Sequence, residues 1–181
     1  MSLEDILALS DDEFNKIYLE RLYKLRADIK SIEARLKKKN KTLSSNQKLI
    51  IQMITTSKNS AIISVNGVRV QFSTGCAKHG LKHILLRHFC DDCEGRVTAM
   101  DIISIERFLS KGVSFSEDSK KYGYIYEKNR DEKYKLILFK DTNAEGVLSV
   151  YKLDRVESED GASSPQAKAS ETSEGELSNT K

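Results

Sequence analysis

The hydrophobic pattern of the chain changes near Asn59, and this change constrains the fold more than any other feature. Before it, apolar residues recur at alternating spacings of four and three, which indicates one face of a helix. After it come short β-rich runs separated by turn residues. Helices followed by a run of hairpins favour an α+β fold. We therefore expect a helical N-terminal region over 1–58 and an α+β domain over 59–156.

The N-terminal third predicts one long amphipathic helix. Ser10 followed by Glu13 fits a capping box, which marks the start of that helix. The seam covers about two and a half heptads, which is short for a free coiled coil. It could pair two copies of the chain as a homodimer, or pack against the apolar segment 47–55, and the sequence leaves both alternatives open. The seam residues are Tyr18, Leu22, Leu25, Ile29, Ile32 and Leu36.

The second part of the chain predicts a hairpin, two helices and three more strands. Asn66-Gly67 between two β-rich runs is a strong hairpin signal, because both turn positions need positive φ. Thr98 with Asp101 predicts the start of a helix that Gly112 ends. The predicted elements are strands 61–65 and 68–72, helices 77–89 and 99–110, and strands 122–127, 133–140 and 147–153. These two helices are thus followed by three strands of a predicted antiparallel sheet.

Two of the three histidines, His83 and His88, lie in the stretch 81–89 of the short predicted helix. Histidine exchanges protons near neutral pH, and arginine stabilises the charge that develops on a phosphate. His88 shares the apolar face that should lie on the sheet, whereas His83 and Arg87 are neighbours on a flank. A helix of this kind could cut RNA without a metal. His88 could equally be a hydrogen-bonded histidine of the core.

The cysteines suggest a competing metal site. Cys76-x-x-His79 and Cys90-x-x-Cys93 resemble the two halves of a Cys3His zinc site. The helix between them would rise by about 12 Å, at 1.5 Å per residue, which makes one four-ligand site difficult to form. The alternative is reduced thiols in a reducing compartment. We therefore expect no metal and no cofactor.

Charge is distributed unevenly along the chain. The segment 157–181 has six acidic and two basic side chains and few large apolar residues, so we expect it to be disordered. The remainder holds 28 basic and 21 acidic side chains, a balance that suits a polyanion such as RNA. No apolar run is long enough to span a bilayer and no signal peptide is evident. We therefore expect a cytoplasmic protein without a membrane partner.

Four segments together resemble a known nuclease family. Gly80–His88 is similar to the "HI-x-x-RH" helix of phage-encoded nuclease domains, which are grouped with barnase, EndoU, colicin ribonucleases and RelE. The segments 108–112, 134–139 and 146–151 are also similar to parts of these domains. The resemblance covers roughly residues 61–155 and leaves the N-terminal helices and the acidic tail outside.

The resemblance implies a helix-plus-antiparallel-sheet fold of this type and metal-independent RNA cleavage by a toxin or a phage or mobile-element effector. It places the catalytic residues at His83, Arg87, His88 and Ser149 and substrate-binding residues at Lys82 and Tyr151. The implied partners are RNA and a cognate inhibitor protein. Which histidine serves as base and which as acid stays open.

A non-catalytic function is the alternative. The N-terminal seam is also typical of a coiled-coil adaptor or inhibitor that binds RNA or another protein. No clear aromatic platform for stacking bases is evident; the nearest candidate is the set Tyr122, Tyr124 and Tyr126 on one face of a predicted strand.

Overall fold

A computed structural model describes residues 1–56, 58–93, 95–140 and 145–153 of the chain. The acidic segment 157–181, for which we predicted disorder, lies outside the described residues. The described elements, in chain order, are α1 (Leu3–Leu7), α2 (Asp11–Lys38), α3 (Ser45–Thr55), β1 (Ser60–Val65), β2 (Val68–Ser73), α4 (Gly80–His88), α5 (Ala99–Ile103), α6 (Ile105–Lys111), β3 (Val113–Ser116), β4 (Lys121–Asn129), β5 (Glu132–Phe139) and β6 (Glu145–Leu153). The α+β fold class is thereby confirmed.

Two of the predicted helices, α2 and α5, begin at capping boxes. Ser10 accepts a hydrogen bond from the backbone N–H of Glu13, and the Glu13 carboxylate accepts one from the Ser10 N–H. The same reciprocal box opens α5 at Thr98 and Asp101, as predicted. Each box satisfies backbone donors that lack a partner within the first turn. These short-range signals explain why the predicted helix starts of α2 and α5 are correct.

The described strands form a six-stranded sheet in the order β1-β2-β6-β5-β4-β3. The β1–β2 hairpin turns at Asn66 and Gly67, whose φ angles are 52° and 81°, as the Asn-Gly signal predicts. The sheet is mixed rather than purely antiparallel, because β2 and β6 run parallel. They pair over two residues only, Val70 with Glu145 and Gln71 with Gly146. The predicted antiparallel sheet is therefore corrected to a mixed one, in which the β1–β2, β3–β4, β4–β5 and β5–β6 pairings are antiparallel.

The observed elements differ from the predicted ones in three further places. The helix predicted over 99–110 is divided at Ser104 into α5 and α6. The histidine helix starts at Gly80 rather than near Ala77, because Cys76 and His79 first pair with each other as an isolated β-bridge. A short edge strand, β3, was not predicted; it pairs with β4 from Val113 to Ser116.

The seam of α2 is buried against the chain's own core. Leu22, Leu25, Ile29 and Ile32 are buried, and Tyr18 and Leu36 are partly buried against the same cluster. The cluster also contains residues of α3, α4, α5 and the sheet, so it extends across the boundary at residues 58 and 59 that the sequence predicts. The apolar face that could have paired two copies is therefore used within one chain.

We expect the burial of this seam to be visible in the stability of the protein. Leu25 is fully buried and Leu19, on the same helix, is 46% exposed. Leu25→Ala should lower the free energy of unfolding by about 2–5 kcal/mol, because it leaves a cavity. Leu19→Ala should change it by no more than about 0.5 kcal/mol. Urea unfolding followed by circular dichroism measures both, and equal losses would contradict the packing described.

Candidate functional site

A cavity of about 660 Å³ lies between α4 and the strands β5 and β6. Three of the residues that line it are on α4 and are candidates from the sequence analysis: His83, Arg87 and His88. Ser149 and Tyr151 of β6 face it from the sheet, together with Ile137, which pairs with Ser149 across the β5–β6 ladder. The rim is completed by Leu3 of α1, Lys78, Gly95, Glu117, Lys121, Lys152 and Leu153.

α4 packs against β6, and backbone hydrogen bonds hold its end there. β6 itself pairs with β2 at Glu145 and Gly146. The segment that follows α4 then bonds to both elements. Val97 donates its N–H to the carbonyl of His88 (2.8 Å), and Lys152 donates its N–H to the carbonyl of Gly95 (3.0 Å). These two hydrogen bonds hold the end of α4 against β6.

Three rings are brought together by this packing. The imidazoles of His83 and His88 have centroids 5.8 Å apart and stand nearly perpendicular, at 74°. The His88 ring stacks on Tyr151 at 5.2 Å and 21°. Both histidines are buried, at 5% and 6% exposure. Two proton-exchanging groups are thus held side by side in a restricted environment.

The hydrogen bonding of His83 fixes which of its two ring nitrogens carries the proton. Its Nδ1 lies 2.8 Å from the carbonyl oxygen of Ala77, which can only accept, so Nδ1 donates and carries the proton. In the neutral ring, Nε2 then keeps its lone pair. Burial lowers the pKa of His83; the bond to Ala77 opposes this, and the charges of Arg87 and His79 add to the lowering. The neutral base form is therefore favoured at neutral pH.

Ser149 is a buried hydroxyl without a partner. It is 5% exposed, and its Oγ makes no hydrogen bond to any of the described residues. A buried polar atom left unsatisfied costs about 1–3 kcal/mol. Because Ser149 lines the cavity, a ligand there could supply the missing bond. The sequence motif alone pointed to Ser149, and its orphaned Oγ is a separate observation.

Positive charge dominates the lining of the cavity. Among its described residues, Lys78, Arg87, Lys121 and Lys152 are cationic and Glu117 alone is anionic. The Glu117 carboxylate lies 3.4 Å from the Lys135 ammonium, and Lys152 is paired with Glu132 at 3.0 Å. Of the four cations, the sequence analysis identified only Arg87. The other three stand on loops or distant strands, where local patterns carry no information on proximity.

Lys82 lies elsewhere. Its ammonium sits over the rings of Phe14 and Tyr18 on α2, 5.7 and 5.2 Å from their centroids. It does not belong to the residues that line the cavity. The structure thus brings His83, Arg87, His88, Ser149 and Tyr151 together and directs Lys82 toward the N-terminal helix.

The residues of the zinc alternative do not gather around one point. Cys90 and Cys93 form a disulfide after α4, and Cys76 is free and exposed. In the described part of the chain, no three His, Cys, Asp or Glu side chains are placed to hold a metal ion together.

None of the helices within the described residues has both the length and the apolar content to cross a membrane. Comparison with known proteins identifies no matching family, curated protein or solved structure. The functional interpretation therefore rests on the geometry of the cavity.

Gly95 allows the close approach behind His88 and Tyr151, and this can be tested. Its φ is +67°, and a Cβ there would lie 3.2 Å from Nδ1 of His88 and 3.1 Å from Cβ of Tyr151. Gly67 has a similar φ of +81° with nothing within 4 Å, so it is a matched control. Gly95→Ala and Gly67→Ala should each cost about 1–2 kcal/mol of backbone strain. Only Gly95→Ala should also shift the NMR resonances of the His88 ring; the same shift in both variants would argue against the described contact.

The lowered pKa of His83 predicts a loss of stability on the acid side. The unfolded chain binds a proton to this histidine near its ordinary value of 6.5, whereas the folded protein binds it at lower pH. The contribution is therefore complete above pH 6.5 and is lost as the pH falls toward the folded-state pKa. His83→Gln, which does not titrate, should show a smaller fall in melting temperature between pH 7.5 and pH 5. Parallel curves for the two proteins would contradict the burial of a neutral His83.

Proposed function

We propose that this protein is a metal-independent endoribonuclease that cleaves RNA through attack of the 2′-hydroxyl on the adjacent phosphorus. The observation that carries the proposal is the pair of buried imidazoles, 5.8 Å apart, in one cationic cavity with an unpartnered serine hydroxyl. Cleavage of this kind needs a base, an acid and a positive charge near the phosphate. Side chains of the cavity supply all three, so the step does not require a metal ion.

His83 serves as the general base. Its Nδ1–H is engaged by the Ala77 carbonyl, which leaves the Nε2 lone pair for the 2′-hydroxyl proton. Burial keeps its pKa below the ordinary value, so the ring is neutral and able to accept at neutral pH. A general base works best when it is deprotonated at the working pH and fixed in orientation. The Ala77 contact supports both conditions.

His88 serves as the general acid. It donates a proton to the leaving 5′ oxygen, so that the P–O5′ bond breaks as the new O2′–P bond forms and a 2′,3′-cyclic phosphate results. The stack on Tyr151 holds the His88 ring and restricts its rotation. Tyr151 therefore orients the acid, in addition to bounding the cavity from β6. The centroids of the His83 and His88 rings are 5.8 Å apart, and the scissile phosphate is placed between them in this mechanism.

Arg87 and Ser149 act on the phosphoryl oxygens. The guanidinium offers several donors and a fixed charge to the oxygens that become more negative in the transition state. The Ser149 Oγ donates the hydrogen bond that the described residues do not take up. Lys78, Lys121 and Lys152 on the rim attract the neighbouring phosphates of an RNA strand. Such preorganised donors commonly make the largest single contribution to catalysis.

RNA cleavage by purified protein in EDTA tests the proposal. The wild-type protein should cut a single-stranded RNA and leave DNA of the same sequence intact, since DNA lacks the 2′-hydroxyl. His83→Ala and His88→Ala should each lower the rate by about 10²–10⁴-fold, the usual contribution of a general acid or base. His79→Ala is the comparison: His79 does not line the cavity and acts on His83 only through its charge, so this variant should lose much less activity than His83→Ala or His88→Ala.

The outcomes separate the competing functions. Products ending in a 2′,3′-cyclic phosphate support the mechanism, and growth arrest on expression, relieved by the same His83 or His88 substitution, supports a toxin or effector. Intact RNA across pH 5 to 8 refutes the nuclease. Retained RNA binding with no cleavage would instead favour the non-catalytic adaptor or inhibitor.

A further inference from the structure

Arg21 reaches from the N-terminal helix α2 to the helix that carries both histidines. Its Nη1 donates hydrogen bonds to the carbonyl oxygens of Leu85 and Leu86, each at 2.7 Å. These partners are 64 and 65 residues away along the chain. The contact is partly buried, so water competes for it less than at an open surface. Arg21 lies outside the part of the chain that resembles nuclease domains.

The two carbonyls belong to the last turn of α4, where backbone oxygens have no N–H four residues ahead to accept from. A charged donor there both satisfies the oxygens and opposes the negative end of the helix dipole. The end of α4 is also held by the hydrogen bond from the Val97 N–H to the His88 carbonyl. The end of α4, and with it His88, is thus held from α2 on one side and from the segment before α5 on the other.

Other contacts tie α2 to the same region. The Lys24 ammonium lies 2.9 Å from the Asp91 carboxylate, in the loop that follows α4. Lys82, near the start of α4, packs over Phe14 and Tyr18. The Lys24–Asp91 pair is exposed, and surface ion pairs contribute little, whereas Lys82 lies near the start of α4 rather than at its end. Arg21 is therefore the contact that best fixes the end of α4.

We propose that Arg21 is a positioning residue of the active site, which holds the last turn of α4 so that His83 and His88 keep their mutual geometry. The inference rests on the proposed nuclease function for its kinetic consequence, but its structural part does not. The N-terminal helix is accordingly a component of the site rather than an attachment to it.

The test compares Arg21→Met with Arg26→Met. Arg26 stands on the same helix, is also half-buried, and donates from Nε to the carbonyl of Ile54 on α3 at 2.8 Å. Arg21→Met loses the guanidinium bonds to two carbonyls of α4, whereas Arg26→Met loses a guanidinium bond to one carbonyl of α3. NMR titration of the His83 ring is the first readout, because it needs no activity. In Arg21→Met, water should enter around α4 and the pKa of His83 should rise toward its ordinary value; in Arg26→Met it should stay unchanged.

Kinetics provide the second readout. Arg21→Met should lower kcat by about 10²-fold with little change in KM, since a displacement of about 1 Å of a catalytic group can cost that much. Arg26→Met should retain kcat even if its melting temperature falls as far. Arg21→Lys, which keeps one charged donor, should recover part of both the titration and the rate. It also serves as the test variant if Arg21→Met does not fold.

An unchanged His83 titration in Arg21→Met, or equal shifts in Arg21→Met and Arg26→Met, would overturn the proposal. If Arg21→Met does not fold, a shift in Arg21→Lys no larger than that in Arg26→Met would overturn it instead. If the wild-type protein cuts no RNA, the nuclease function fails, while the His83 titration still decides the positioning of α4 by Arg21.

Discussion

The packing of α4 against β6 is the interaction on which the cavity depends. β6 pairs with β2 over only two residues, and further along the strand Lys152 donates its N–H to the carbonyl of Gly95. The stack of His88 on Tyr151 and the bond from the Val97 N–H to the His88 carbonyl hold the end of α4 against this strand. Side chains of α4 and β6 thus line the cavity from two sides.

Features governed by neighbours in the chain could be predicted from the sequence. The capping boxes at Ser10 and Thr98 and the Asn66-Gly67 turn depend on residues at most three apart, and each lies where expected. The burial of the α2 seam follows equally from a local period. Five of the residues that line the cavity were also candidates from the sequence: His83, Arg87, His88, Ser149 and Tyr151.

Features that depend on distant partners could not be predicted in this way. The parallel β2–β6 pairing joins segments more than seventy residues apart, and no local pattern encodes it. Ser104 divides a continuous helical pattern, and its hydroxyl accepts a hydrogen bond from the side chain of Gln47 on the distant α3. Lys82 is next to His83 in sequence yet lies over aromatic rings of α2, whereas Lys121 and Lys152 reach the cavity from other elements. Proximity in space, rather than residue type, decided these cases.

Because the chain is synthesised from its N-terminus, the two sides of the cavity are made at different times. Arg21 and α4 emerge from the ribosome well before β6, and β6 supplies the Ser149 and Tyr151 side of the cavity. A growing chain that ends before residue 145 therefore has both histidines but lacks the side of the cavity formed by Ser149 and Tyr151. Under the proposed function, the nascent protein stays harmless to its own messenger RNA until the last described strand has been made.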